Sequence, residues 1–202
     1  MSGYVVTGGA GFIGSHIVEE LVRRKKPVKV IDNFSTGKRG NLEAFSGNAE
    51  IVDCDLADAR GLTELLKGAD YVIHQAAIPS VPKSIIDPVK SHQANVNGTL
   101  QLLMACRDAG VKRVVYASSS SLYGDSPTLP KNETMMPKPL SPYGAQKLFA
   151  ETYCPWVWLG ISATVSVWFF SPYNSPTTLN SASAELIFTV ARPRESGSLN
   201  VE

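Results

Sequence analysis

The sequence TGGAGFIGSH, residues 7–16, places four glycines within ten positions. An apolar run, Tyr4 to Val6, precedes it, and apolar residues at helical spacing follow it from Ile17 to Val22. This pattern predicts a strand, a glycine-rich turn and a helix. Unpaired amides and the positive end of the dipole at a helix start attract an anion, and glycines let a pyrophosphate approach the backbone. The alternative is a plain tight turn.

A carboxylate after the next apolar run supports the dinucleotide interpretation. Residues 27–31, PVKVI, read as a second buried strand, and Asp32 follows Gly14 by 18 residues. That spacing is close to the ~20 residues expected of the acid that binds an adenosine ribose. Because a carboxylate repels a 2′-phosphate, Asp32 favours NAD over NADP. Lys38 and Arg39 keep NADP open, and an Asp32 that only caps a turn is the other alternative.

Composition fits a cytoplasmic α/β enzyme. The 202 residues are 44% hydrophobic, which is enough for one full domain. The net charge of +1 lacks the positive excess that nucleic-acid binding requires. Three cysteines without a CxxC pair indicate reduced thiols and no metal site. The late apolar stretch, residues 157–170, is interrupted by polar residues and too short to span a bilayer. We therefore expect neither a membrane nor a nucleic-acid partner.

Strand-like and helix-like segments alternate along the chain. This alternation predicts an α/β fold, a Rossmann-type doubly wound parallel sheet with its ligand at the carboxyl ends of the strands. A proline-rich stretch, residues 126–142, predicts a rigid surface loop before the last helix. Beyond the first two strands, further strands are expected at residues 49–52, 71–74, 113–117 and 164–170, and helices at 63–66, 96–109 and 142–153. On the helix at 96–109, the residues expected to be buried are Val96, Leu100, Leu103 and Met104.

Two polar segments flank that loop. Ser118 to Ser121 end the presumed fifth strand, and Tyr143 and Lys147 lie four residues apart on the following helix. An ammonium beside a phenol favours the phenolate, so we expect Lys147 to lower the pKa of Tyr143 toward the working pH. Tyr143 would then be a general acid/base. Alone, such a pair is common on exposed helices.

Together these motifs resemble the extended short-chain dehydrogenase/reductase family, in its group of NAD-dependent nucleotide-sugar epimerases and dehydratases. The resemblance covers roughly residues 3–153. It rests on TGGAGFIGSH, DNFSTG from Asp32, HQAA from His74, NVNGTL from Asn95, SSSSLYGD from Ser118 and SPYGAQK from Ser141, which occur in the family's order.

The resemblance implies NAD as the cofactor and assigns residues to it. One histidine, His74, is expected to be a packed residue at a strand end rather than a base. Asn95 could also simply cap the following helix. The implied cofactor-binding residues are Gly8, Gly11, Phe12, Ile13, Gly14, Asp32, Asn33, Phe34, Ser35, Thr36, Gly37, Asp55, Leu56, Gln75, Ala76, Ala77, Asn95, Tyr143, Lys147 and Phe170.

The resemblance also implies the chemistry. Ser119, four residues before Tyr123, matches the catalytic Ser or Thr, and with Tyr143 and Lys147 it forms the implied catalytic set. Ser84, Ser119 and Tyr143 are the implied substrate contacts, although Ser84 reads equally as a helix-start serine. Related dehydratases carry Asp and Glu directly after the catalytic residue, and here Ser120 and Ser121 stand there. This favours 4-epimerisation of a UDP-sugar, in which hydride passes to NAD and returns to the opposite face.

The resemblance weakens after Tyr153. Pro155 is expected to break or kink the last helix, and Trp168 and Ser171 replace the family's Arg and Asn. We divide the chain into an NAD-binding Rossmann domain, 1–170, and a divergent remnant of the substrate-binding region, 171–202, with most of the substrate lobe missing. Two classes stay open: a nucleotide-sugar epimerase, or a catalytically weak NAD-binding paralogue or interaction protein. The resemblance further implies a homodimer, and the sequence does not choose the sugar.

Overall fold

The computed structural model describes residues 3–58, 60–132 and 134–157, with only the backbone for 155–157. Five strands form one parallel sheet in the order β3-β2-β1-β4-β5. The strands are β1 (Gly3–Thr7), β2 (Val28–Asp32), β3 (Ala49–Asp53), β4 (Ala69–His74) and β5 (Arg113–Tyr116). The order reverses beside β1, which places a crevice at the carboxyl ends of β1 and β4.

Six α-helices connect or cover the strands in the described part of the chain. They are α1 (Phe12–Arg23), α2 (Leu62–Leu66), α3 (Val81–Ile86), α4 (Pro88–His92), α5 (Gly98–Asp108) and α6 (Pro142–Val157). A π-helical turn, Gln93–Asn97, joins α4 to α5, and 3-10 helices cover Arg39–Phe45 and Ser120–Tyr123. The predicted doubly wound α/β fold is confirmed.

The sheet separates two apolar cores, and alternate residues of β1 enter different ones. Val6 packs with Val18, Leu21 and Val30 under α1. Val5 packs in the other core, against residues of α2, α5 and α6 that include Leu66 and Leu102. Because parallel strands in the middle of such a sheet are buried on both faces, they read as continuous apolar runs in the sequence.

The helix after β4 differs from the prediction. It was expected over 96–109, whereas α5 begins at Gly98 and is preceded by α3, α4 and the π-helical turn. The prediction of its buried face was also wrong in part, because Met104 is 40% exposed, whereas Leu102, which was not predicted to be buried, is fully buried. The π-helical turn adds residues to one turn of helix and so rotates the residues after it relative to those before.

The last helix also differs from the prediction. α6 extends to Val157, so Pro155 does not end it. A proline costs an internal helix one hydrogen bond, but it is compatible with helical backbone angles. The loop predicted before α6 is present, since no helix or strand occurs between Tyr123 and Pro142 in the part of the chain described. The strand expected at 164–170 and the whole of 171–202 lie outside the described residues.

Candidate active site

A cavity of about 600 Å³ opens at the carboxyl ends of the strands. Its volume lies in the usual range for small-molecule and cofactor sites. Most of the residues implied as cofactor contacts line it. They are Gly8, Gly11, Phe12, Ile13, Gly14, Asp32, Asn33, Ser35, Thr36, Asp55, Leu56, Gln75, Ala76, Ala77, Tyr143 and Lys147, and the catalytic candidate Ser119 lines it as well.

The three spaced glycines of the opening turn are needed for different reasons. Gly8 has a φ of +69°, and a Cβ there would lie 2.5 Å from the backbone N of Ala76. A Cβ on Gly14 would lie 2.2 Å from the carbonyl O of Gly8, which brings α1 close to the turn. A Cβ on Gly11 would meet only the Gly8 carbonyl, at 3.2 Å. Packing therefore explains Gly8 and Gly14, whereas Gly11 leaves room for a group in the cavity.

The start of α1 is open to an anion. Gly11 is the residue at its N-terminal boundary, and no side chain caps the helix there. A twelve-residue helix has its dipole's positive end and its unpaired amides at this point. Together with the space at Gly11, this arrangement fits the pyrophosphate of a dinucleotide.

Backbone amides hold the carboxylate of Asp32 at the end of β2. Its Oδ2 accepts from the amide of Ala10, at 2.9 Å, and its Oδ1 accepts from the amide of Phe34, at 2.8 Å. Each oxygen of a carboxylate has two lone pairs, so Asp32 keeps capacity for ribose hydroxyls. Asp32 therefore both caps the turn that follows β2 and lines the cavity, so its two predicted roles are compatible.

The two basic residues that kept NADP open are Lys38 and Arg39. Arg39 forms an ion pair with Asp53, and its guanidinium lies 3.8 Å from the centroid of the Phe34 ring. Arg39 therefore already has a carboxylate partner, which reduces its capacity to bind a 2′-phosphate.

Four of the implied contacts do not line the cavity or lie outside the described residues. The backbone of Gly37 packs against Ala10, where an added Cβ would come within 2.7 Å of the Ala10 Cβ. Phe34 lies under Arg39, as above. Phe170 lies outside the described residues. Asn95 is 1% exposed, and instead of lining the cavity it holds a segment that does.

Asn95 and Gln146 form a buried polar network below the cavity. The Asn95 Oδ1 accepts from the amide of Ile78 at 2.7 Å, and its Nδ2 donates to the Gln146 Oε1 at 2.9 Å. Ser91 also donates to the Gln146 Oε1, at 2.7 Å. The network joins the loop after β4, the π-helical turn and α6, and Gln146 was not identified from the sequence.

His74 has the packed role expected of it. Its ring is 1% exposed and hydrogen-bonds through Nδ1 to Thr7 and through Nε2 to Thr99. Burial lowers the pKa of His74 to about 3, and the positive charge of Lys147 acts in the same direction. The imidazole is therefore neutral and ties β1, β4 and α5 together.

The implied catalytic residues meet at one end of the cavity. The side chains of Tyr143 and Ser119 both line this end, and hydrogen bonding with Ser119 acts to lower the pKa of Tyr143. The Nζ of Lys147 donates to the carbonyl O of Ala117 at 2.9 Å and lies 5.9 Å from the centroid of the Tyr143 ring. Since Ser119 to Ser121 adjoin the end of β5, these contacts join that strand end to α6.

The expected effect of Lys147 on Tyr143 is wrong. Burial raises the pKa of Tyr143 above its ordinary value, and the hydrogen bond with Ser119 offsets this only in part. Burial also lowers the pKa of Lys147 to about 8. Desolvation disfavours the charged form of each group, and it outweighs the attraction across their separation.

Glu151 is a further contact that the sequence did not identify. Its carboxylate accepts from the hydroxyl of Ser118 at 2.7 Å. Tyr143, Lys147 and Glu151 are spaced four residues apart on one face of α6. They contact Ser119, Ala117 and Ser118 respectively, so one helix face holds the whole strand end. The four-residue spacing of Glu151 from Lys147 on the helix could have identified Glu151 from the sequence.

The described residues hold no group of three or more acidic, cysteine or histidine side chains that could bind a metal ion. Among the described helices, none has the length and apolar character needed to cross a membrane.

The fold and this cavity are typical of dinucleotide-binding proteins, and Ser119, Tyr143 and Lys147 lie together at one end of the cavity. Comparison with known proteins identifies the family. The model of the NAD dependent epimerase/dehydratase family matches residues 4–194, and the chain belongs to that family.

Individual relatives agree with this assignment. A UDP-glucose 4-epimerase from Streptomyces lividans is 40% identical over 152 residues, which are 73% of this chain and 45% of that enzyme. A UDP-N-acetylglucosamine 4-epimerase from Methanobrevibacter ruminantium superposes with a TM-score of 0.76 at 40% identity, covering 82% of this chain and 53% of that one. The UDP-glucose 4-epimerase of Thermus thermophilus, solved with NAD, superposes with a TM-score of 0.75 at 38% identity. The match covers 86% of this chain and 58% of that one. The chain spans about half the length of these relatives.

Proposed function

We propose that this chain binds NAD in the 600 Å³ cavity and supplies the catalytic residues for 4-epimerisation of a UDP-sugar. One observation carries the proposal: the open helix start at Gly11, the carboxylate of Asp32 and the Tyr143–Ser119 contact all face the same cavity. The similarity to UDP-sugar 4-epimerases supports the reaction class, and the three free cysteines support a cytoplasmic setting.

Each protein group has a defined part in this proposal. The amides at the start of α1 bind the pyrophosphate, and Asp32 accepts hydrogen bonds from the adenosine ribose. Asn33 donates to Asp55 at 2.8 Å, and both residues line the part of the cavity that would hold the adenosine. Bound NAD supplies the hydride acceptor, and its positively charged ring favours the phenolate of Tyr143.

Tyr143 and Ser119 carry out the proton transfer. With a sugar 4-hydroxyl beside it, the phenolate oxygen of Tyr143 would accept the hydroxyl proton as C4 is oxidised to the ketone, and would return it as the ketone is reduced. Ser119 hydrogen-bonds to the same oxygen and orients it. Ser120 and Ser121 place no carboxylate next to Ser119, so no residue there assists elimination of water. Lys147 holds the strand end through Ala117 and adds positive charge.

NAD binding tests the first half of the proposal. Gly11→Val places a branched side chain in the space for the pyrophosphate, and we expect titration calorimetry to detect no NAD binding. Gly47→Val is a matched control, because a Cβ at Gly47 meets no atom within 4 Å. Equal NAD affinity in Gly11→Val and the unmutated chain would remove the glycine turn from the site.

Turnover tests the second half. UDP-glucose, UDP-N-acetylglucosamine and UDP-glucuronate are offered to the NAD-bound chain, and the 4-epimers are separated and quantified. Tyr143→Phe should lose ~10²- to 10⁴-fold in rate, whereas Tyr153→Phe, an exposed tyrosine on the same helix, should keep it. NAD binding without turnover of any sugar would favour the catalytically weak paralogue.

We also propose a homodimer that pairs α5 and α6 with their copies. Met104 on α5 is 40% exposed, and Tyr153 on α6 is 36% exposed and stacks on Phe149 with ring centroids 4.1 Å apart. Apolar side chains on neighbouring helices offer a surface for a second copy. Light scattering that gives only monomer at micromolar concentration would contradict the dimer.

A further inference from the structure

The first turn of α6 obtains its hydrogen bonds from an unusual set of acceptors. Pro142, its first residue, has no amide hydrogen. The amide of Gly144 donates to the Oγ of Ser141 at 3.1 Å, and the amide of Ala145 donates to the Ser141 carbonyl at 3.0 Å. The amide of Tyr143 donates to the Oγ of Ser84, at 3.0 Å, and Ser84 belongs to α3. A residue 59 positions away thus completes the helix start.

The hydroxyl of Ser84 is fixed in this role. The side chain has an exposed fraction of 0%, and its Oγ donates to the carbonyl O of Val81 at 2.7 Å. With its proton committed to Val81, the oxygen can only accept from Tyr143. Ser84 is not among the residues that line the cavity. The helix-start serine of α3 is Ser80, whose side chain accepts from the amide of Lys83.

The backbone of Tyr143 has little freedom on its other side. A Cβ on Gly144 would lie 2.6 Å from the carbonyl O of Ser121, so the first turn of α6 packs directly on the segment that carries Ser119. A shift of α6 at Tyr143 would therefore change the contact between the Tyr143 and Ser119 side chains.

We propose that Ser84 is a positioning residue that fixes Tyr143 against Ser119 through the Tyr143 amide, instead of contacting the sugar as the resemblance implies. This inference rests on the proposed function, because it assigns Ser84 to the same acid/base. α3 thereby sets the position of the acid/base from outside the cavity.

Ser84→Ala and Ser91→Ala form a matched pair for the test. Ser91 is also a buried serine on the neighbouring α4, and it donates to Gln146 one turn further along α6. In Ser84→Ala we expect hydrogen exchange at the Tyr143 amide to accelerate by ~10-fold or more through local opening. In Ser91→Ala the Tyr143 amide should exchange at the unmutated rate.

Three further measurements separate positioning from a general loss of packing. The phenol of Tyr143, assigned by subtraction of the Tyr143→Phe absorbance titration, should titrate at higher pH in Ser84→Ala, because the contact with Ser119 is weakened. The affinity for NAD should be unchanged. Where turnover is measurable, kcat should fall by ~10²-fold with KM retained.

Substitutions that keep the volume or the hydroxyl complete the test. Ser84→Cys fills the site with a poor acceptor and should repeat the effects of Ser84→Ala even if that variant fails to fold. Ser84→Thr keeps the hydroxyl and should restore the slow exchange. Unchanged exchange and titration at Tyr143 in Ser84→Cys would overturn the proposal. An inactive unmutated chain would count against the proposed function alone, because exchange and titration need no turnover.

Discussion

Lys147→Met is expected to make the NAD-free protein more stable at neutral pH. Lys147 is 4% exposed, and burial lowers its pKa from 10.5 to about 8. At ~1.4 kcal/mol per pH unit, its charge destabilises the folded protein by about 3 kcal/mol relative to an ammonium in water. Methionine has similar length and no charge, but it removes the donor to the Ala117 carbonyl, which costs about 1 kcal/mol.

At pH 7 the free energy of unfolding of Lys147→Met should therefore exceed that of the unmutated protein by about 2 kcal/mol. For a typical urea dependence of this free energy, the urea midpoint rises by roughly 1 M. Its pH dependence has a definite sign. Between pH 8 and 10.5 the unfolded state holds the Lys147 proton and the folded state does not. The unmutated protein therefore gains ~1.4 kcal/mol per pH unit relative to the variant in this window, and the advantage of the variant disappears toward pH 10.5.

The assay is reversible urea unfolding under reducing conditions, followed by circular dichroism at several pH values from 7 to 10.5. Differences between the two proteins cancel the titration of all other groups. Lys26→Met, at an exposed lysine, controls for loss of a positive charge. Its free energy of unfolding should stay within about 0.5 kcal/mol of the unmutated value at every pH. The reasoning would be refuted if Lys147→Met were less stable than the unmutated protein at pH 7 and the difference in stability did not change with pH. Burial of the Lys147 charge would then not destabilise the fold.

Three further predictions concern the cavity. The phenol of Tyr143 should titrate above its ordinary pKa of ~10 in the NAD-free protein, and absorbance titration should move to lower pH with NAD⁺ but not with NADH. Asp32→Ala should reduce the preference for NAD over NADP in calorimetry, and an unchanged preference would exclude Asp32 from the ribose site. Ser119→Ala should lose less rate than Tyr143→Phe, because the Ser121 hydroxyl lies 2.8 Å from that of Ser119; an equal loss would show that Ser121 cannot substitute.

Local patterns predicted the parts of the fold that local physics determines. The glycine turn, Asp32 and the five described strands follow from backbone freedom, spacing and continuous apolar runs, all of which are visible in a short window. The two short helices α3 and α4 were missed. They contain five or six residues each, and the prolines within α3 and at the start of α4 look like loop residues although they are tolerated in a first helical turn.

The missed parts of the site depend on contacts between distant residues. Ser84 meets Tyr143 across 59 positions, and Asn95 meets Gln146 across 51. No spacing rule connects such pairs, because the sheet order brings them together. The carboxylate of Asp32 was easier to predict, since its partner Ala10 lies in the adjacent glycine turn.

The effect of Lys147 on Tyr143 shows why helical spacing alone did not predict the electrostatics. Four residues of separation place both side chains on one face, but burial acts on each of them separately. It raises the pKa of Tyr143 and lowers that of Lys147 to about 8, so Lys147 loses its proton at lower pH than Tyr143. Once Lys147 is neutral it no longer favours the phenolate. At neutral pH most Lys147 side chains still carry their charge, yet the raised pKa of Tyr143 keeps its phenol protonated there. In the proposed reaction, the positive charge of an oxidised nicotinamide in the cavity would favour the phenolate of Tyr143, so we expect the acid/base to ionise more readily with oxidised cofactor bound.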